Sequence, residues 1–255
     1  GFAQTMEQVT GMAWITGHVD DQPRIPRGPC DPLAGAHAAF AVLTALRERE
    51  RTGTGAFVES TMVEAALNIA AEQVIEWTAN GVELGRLGNR APGFSPQGLY
   101  PCTGDEQWLA VSVATDEQWA ALVTVAGLTA DRGDEEAVDA ELAAWAADRE
   151  LGPTVDQLVA AGVPAGAARD PRTIATHPQL AARGFFEELD HPVCGSKNFA
   201  GLPFRFASVD RWLRRPAPTM GEHDHEVLGG ELGLSDDELA RLASAGIIGT
   251  APSGL

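Results

Sequence analysis

The 255-residue chain carries 36 acidic and 18 basic side chains, a formal charge of −18, and 44% of its residues are hydrophobic. So acidic a chain cannot hold a nucleic-acid backbone by counterion release and is repelled by anionic membranes, while its apolar content excludes disorder as the default state. No run approaches the roughly 18 consecutive apolar residues of a membrane helix, and three widely spaced cysteines, Cys30, Cys102 and Cys194, form no CxxC pair. They suit neither a zinc ribbon nor a disulfide framework and fit a reducing cytoplasm.

In chain order, the spacing first predicts an amphipathic helix over 31–51. Asp31 stands as its N-cap, Pro32 suits the first turn, and Leu33, Ala36, Phe40, Leu43 and Leu46 recur along one face before Gly53 stops it. A strand is expected over 56–61, then a second long helix from about Met62 to Asn80. This helix–turn–strand–helix order points to α/β architecture rather than a bundle. Between Gly81 and Gly104, glycine and proline punctuate a long segment that reads as a linker or a functional loop. A buried strand over 108–113, a helix capped by Thr115 or Asp116, and helices at about 134–149 and 153–161 follow. The acidic residues from Asp134 to Glu141 read as a solvated helix face.

The turn 162–166 leads into a short extended piece, a helix near 177–184, and an extended stretch over 185–208 broken by glycine and proline. The chain's one lysine, Lys197, falls in an expected polar turn over 195–198 and reads as a surface residue. Pro216 and Pro218 mark a linker, a helix is expected from about Glu222, and Ser235-Asp236-Asp237-Glu238 opens a last helix in the manner of a capping box.

Motifs for common chemistries are absent. There is no P-loop, HExxH or GxSxG, and Gly53-Thr54-Gly55 lacks the third glycine and the preceding strand of a dinucleotide fingerprint. His223-Asp224-His225 places two histidines at positions that diverge on a helix, with no third ligand in view, so no metal is assigned. Asp31 is the notable carboxylate. At the mouth of a long helix, positive partial charge favours its anion and leaves it available as a nucleophile, although the same position suits an ordinary cap. Cys30 gains thiolate character by the same argument, but no histidine is placed to activate it, which favours a packed thiol.

The runs Cys30-Asp31-Pro32-Leu33-Ala34-Gly35-Ala36-His37, Arg49-Glu50-Arg51-Thr52-Gly53-Thr54-Gly55 and Val58-Glu59-Ser60-Thr61-Met62-Val63-Glu64-Ala65 resemble the core signature of class III CoA-transferases, the CaiB/BaiF group. Further stretches look familial in order: Gly88-Asn89-Arg90, Pro96-Gln97-Gly98-Leu99-Tyr100, Thr115-Asp116-Glu117-Gln118-Trp119, Gly162-Val163-Pro164-Ala165-Gly166, His177-Pro178-Gln179-Leu180 and Arg183-Gly184-Phe185-Phe186.

The resemblance implies a fold of the α/β class, a partial large CoA-binding domain plus a smaller α+β domain. Residues 1–90 would be the later part of the large domain, 91–185 the small domain, and 186–255 a segment returning to the large one, the chain starting partway through the family's sequence. It implies CoA transfer from a thioester to a carboxylic acid, with Asp31 forming the covalent intermediates, coenzyme A or acyl-CoA as substrate, and no permanently bound cofactor. Phe2 would fall where transferases place a CoA-contacting aromatic, and Gly93 and Gly98 in the active-site loop. The partners implied are a second copy in an interlocked dimer or an N-terminal half. Racemases of the same fold place a histidine near the position of Phe2; for such proton-transfer chemistry His37 is the nearest base in sequence to Asp31. A non-catalytic partner subunit is the third reading.

Overall fold

A computed structural model describes residues 1–252, and the chain divides into two units, residues 1–168 and the residues from Arg169 onward. The first begins with α1 (Ala3–Val9), α2 (Met12–Ile15), α3 (Cys30–Thr52), α4 (Met62–Ile69) and α5 (Ala71–Asn80). It continues with β1 (Gln97–Pro101), β2 (Trp108–Ser112), α6 (Asp116–Ala126), α7 (Glu135–Ala147), α8 (Leu151–Ala160) and β3 (Ala165–Ala167).

The strands form one antiparallel sheet in the order β1-β2-β3, with Leu99 opposite Ala110 and Ala110 opposite Gly166. Alternation along β2 sends Leu109, Val111 and then Val113 inward, against Leu122 of α6, Val138, Leu142 and Ala146 of α7 and Leu158 of α8. A period of two on the strand meets a four-residue period on α7, and the two together build the main core.

Side-chain caps set several helix starts. Thr115 caps α6 in a capping box closed by Gln118, which makes Thr115 the cap and Asp116 a first-turn residue. Asp134 caps α7 by accepting from the Ala137 N–H. At α3, however, the expected cap moves. Pro29 occupies the N-cap position with φ −66°, the helix begins at Cys30, and Asp31 makes no capping bond. A proline already sits at a helical φ, so the helix is drawn back two residues.

Three other expectations over 31–80 change. The run 56–61 forms no strand, because a strand persists only by pairing and this segment has no neighbouring strand among the described residues; Phe57 is 92% exposed. The long helix from Met62 to Asn80 is two helices, separated at Ala70, whose ψ of 8° leaves the helical range. The stripe expected to bury α3 is also uncovered: Phe40 is 73% and Leu43 66% exposed, and Cys30 is the only buried residue of that helix. The loop of 81–104 holds one element the sequence did not suggest, β1.

One polar chain ties that loop to the core. Tyr100 is buried and donates to Asp139 Oδ1 at 2.7 Å, while Asp139 Oδ2 accepts from Arg90 at 2.7 Å and Arg90 also reaches Glu135. Burial first, and then the bond to Asp139, push the Tyr100 phenol above its ordinary 10.0. An unfolded tyrosine releases its proton first as pH rises, so this contribution to stability is intact below about pH 10 and fades above it. Tyr100 is the chain's one tyrosine, so phenolate absorbance reports it alone. The absorbance is expected to rise only together with unfolding; a native-state titration near pH 10 would contradict this. Tyr100→Phe is expected to cost about 1 kcal/mol, because Asp139 keeps Arg90.

The second unit contains a 3-10 turn over Pro171–Thr176, α9 (Pro178–Ala182), β4 (Phe186–His191), β5 (Gly195–Ala200), a wide π-type helix over His225–Glu231, and α10 (Asp236–Ser244). The Ser235–Glu238 capping box opens α10 as its sequence suggests. The hairpin places Lys197 opposite Leu189 within β5, not in a turn. The turn lies instead at 192–194, where His191 Nδ1 accepts from the Val193 and Cys194 N–H groups. Lys197 remains exposed, as a surface lysine should. No described helix is long and apolar enough to cross a membrane.

Candidate active site

Asp31 lies in the first turn of a 23-residue helix, and it is exposed. Three features position it. Pro29 presets the helix start. Cys30, fully buried, packs with Ala3, Met12, Ala66 and Ala70, its Sγ 3.8 Å from Met12 Sδ. Ahead of both, Arg27 and Gly28 take φ values of 67° and 113° and turn their N–H groups onto one buried carboxylate, that of Glu7. The first-turn amides of Cys30 and Asp31 have no acceptor among the described residues, and Pro32 carries no N–H. Asp31 therefore sits beside the positive end of the helix with free donors close by in the chain.

Burial, Glu7 and Asp31 all push the Cys30 thiol upward, in that order. Fully buried in that cluster, Cys30 is placed as a packing thiol rather than a nucleophile. Alkylation by iodoacetamide under native conditions is expected at exposed Cys194, with Cys30 and Cys102 protected until denaturant is added. Prompt native labelling of Cys30 would contradict that packing.

The other residues singled out from sequence lie apart. Phe2 precedes α1, the helix that carries Glu7, and is 80% exposed. Gly93, at φ 84°, closes a turn in which the Phe94 N–H donates to the Ala91 carbonyl. Gly98 pairs with Val111 in the sheet, where a Cβ would sit 3.0 Å from the Tyr100 hydroxyl oxygen, so its smallness makes room for Tyr100. Among the described residues, no hydrogen bond or buried cluster joins Gly93 or Gly98 to Asp31. His37 lies 2.9 Å from its own helix's Leu33 carbonyl through Nδ1, which turns it back along α3. His223 Nε2 lies 3.9 Å from Glu226, and among the described residues no three His, Cys, Asp or Glu side chains group as metal ligands would.

Sequence reading missed Glu7. The available signal was a charge on the inward stripe of α1, where Ala3, Glu7 and Thr10 recur at helical spacing and all are buried.

Residues 1–224 match CoA-transferase family III, and the chain belongs to that family. A crystal structure of a CaiB/BaiF family protein from Brucella suis shares the fold with a TM-score of 0.79 at 23% identity, over 90% of this chain and 62% of that one. The fold is thus the mixed helix-and-sheet fold of family III. Among relatives, the succinyl-CoA–D-citramalate CoA-transferase of Chloroflexus aurantiacus is 29% identical over 97% of this chain and 65% of its own length. A probable CoA-transferase of Mycobacterium tuberculosis is 27% identical over 95% of this chain and 33% of its own length. The chain spans less than two thirds of the length of each of these proteins.

Proposed function

We propose that this chain supplies the nucleophilic aspartate of an enzyme that moves CoA from an acyl-CoA thioester to a carboxylic acid. The observation that carries the reading is Asp31, exposed in the first turn of a long helix with two free amides beside it in sequence, in a chain of family III whose relatives are named CoA-transferases.

In this reading the Asp31 carboxylate attacks the donor thioester carbonyl. The C–S bond breaks, leaving an acyl-aspartyl anhydride and CoA thiolate. The thiolate attacks the aspartyl carbonyl, releasing the donor acid and forming an aspartyl-CoA thioester. The acceptor carboxylate attacks the same carbonyl and expels the thiolate, which then takes the acceptor acyl group and restores Asp31. Each step exchanges one acyl leaving group for another, so no external acid, base or redox partner is consumed. The N–H groups of Cys30 and Asp31 are the donors available to steady oxyanions formed at the aspartyl carbon.

Under this proposal residues 1–90 belong to the CoA-binding domain that carries Asp31, and residues 91–185 to the small domain. Phe2 faces the CoA side, Gly93 belongs to the loop over the intermediate, and Gly98 follows that loop in β1. The enzyme acts in the cytoplasm, as a homodimer of interlocked subunits or paired with an N-terminal half that completes the CoA site. The test is intact-protein and peptide mass spectrometry of the complete protein after incubation with a panel of acyl-CoA thioesters and hydroxylamine. A hydroxamate at Asp31 is expected; a complete protein that binds CoA and never yields one would overturn the reading.

A further inference from the structure

We propose that Glu7 is a positioning residue for Asp31, a role that rests on the transferase reading above. Glu7 is fully buried and has no ion-pair partner among the described residues. Its carboxylate is committed to backbone instead: Oε2 accepts from the Arg27 N–H at 3.0 Å and Oε1 from the Gly28 N–H at 2.6 Å. Those donors come from a turn that L residues rarely adopt, since Arg27 has a side chain and yet sits at φ 67°. A backbone held in that region persists only where its surroundings over-determine it. Glu7 supplies that restraint, because the two converging N–H groups form a small anion-binding concavity and Glu7 fills it.

The turn leads directly into the nucleophile. Gly28 is followed by Pro29, which is fixed in φ, then by Cys30, buried against Met12, and then by Asp31. There is no slack between the clasp and the reacting carboxylate, so a shift of the Arg27–Gly28 turn is passed to the start of α3. Two donors need two acceptor oxygens, which explains a carboxylate here. A glutamine of the same length offers one oxygen and one NH₂, and the NH₂ would face an N–H. Burying an acid to hold backbone is costly where an apolar residue would pack as well, and that cost makes sense if it fixes the geometry of Asp31.

The experiment compares wild type with Glu7→Gln and Glu7→Met in the complete enzyme, reading the single-turnover rate of Asp31 acylation and the steady-state constants. Amide exchange at Arg27 and Gly28 is read in parallel in the chain described here. Glu7→Gln is expected to slow acylation and kcat roughly 10- to 100-fold, with KM for acyl-CoA within about twofold, since a misplaced nucleophile leaves ground-state binding intact. Exchange at the two amides should quicken at least roughly 10-fold while that of the α6–α8 core holds. Glu7→Met fills the same volume and should lose at least as much.

A folded Glu7→Gln enzyme with wild-type acylation would overturn the positioning role, whatever happens to its melting temperature. Unchanged exchange at Arg27 and Gly28 would overturn the clasp itself with no chemistry involved. A wild-type enzyme that never acylates Asp31 would overturn the transferase reading, and the positioning role with it, even with the clasp intact.

Discussion

Asp31→Asn in the complete protein is expected to lower CoA transfer by roughly 10⁴-fold or more and to abolish the hydroxylamine-trapped adduct, while leaving the fold in place. Two structural facts separate those effects. Asp31 makes no capping bond, and it is exposed, so asparagine removes neither a hydrogen bond nor packing. Stability should stay within about 0.5 kcal/mol of wild type, as for other surface changes. The chemistry cannot survive in the same way, because a neutral amide cannot form the anhydride.

The readouts are turnover, adduct mass and thermal midpoint on one preparation. Wild-type turnover by Asp31→Asn would exclude the covalent route. Exchange of the acyl α-proton with solvent deuterium, lost on the same substitution, would redirect the site toward racemase chemistry. His37 gives that alternative little support, since its ring is engaged with the Leu33 carbonyl.

How much of this was legible beforehand divides along physical lines. Elements whose stability is local were readable: the Thr115 and Ser235 capping boxes and the 135–147 and 151–160 helices fall where their residues suggest. Strand β2 was readable too, because its alternation meets a core formed within the same unit. What failed depended on partners. Residues 56–61 have strand composition, but composition does not supply a neighbour. The Leu33–Leu46 stripe has helical spacing, and the helix forms, yet spacing does not say what would cover its face.

The site divides similarly. The place of Asp31 at a helix start was readable from its sequence, while its role stays a proposal. Its exact helical position was not readable, because Pro29 competes as the cap. Glu7 showed only as a charge on the inward stripe of α1; its partners are main-chain amides about 20 residues away in a turn of unusual φ, and no side-chain pattern marks that pairing.

The same distinction between covered and uncovered faces gives the second large prediction. Leu142→Ala on α7 is expected to destabilise the chain by about 2–5 kcal/mol, since Leu142 is fully buried in the main core and its removal leaves a cavity as well as lost burial. Leu43→Ala on α3 removes the same atoms from a site 66% exposed, so denaturant melts should move by no more than about 0.5 kcal/mol. Its consequence lies elsewhere. Phe40, Leu43 and Leu46 on α3, with Ile75 and Trp77 on α5, put large apolar side chains of the first unit into solvent. Faces of this kind drive association.

Sedimentation velocity should therefore show concentration-dependent self-association of the chain, weakened by the double substitution Phe40→Ser with Leu43→Ser and unaffected by a conservative change in the α7 core such as Leu142→Met. A chain that stays monomeric at all concentrations, or a Leu43→Ala variant that melts as early as Leu142→Ala, would mean that α3 buries its stripe in solution. That result would contradict the exposure on which the contrast stands.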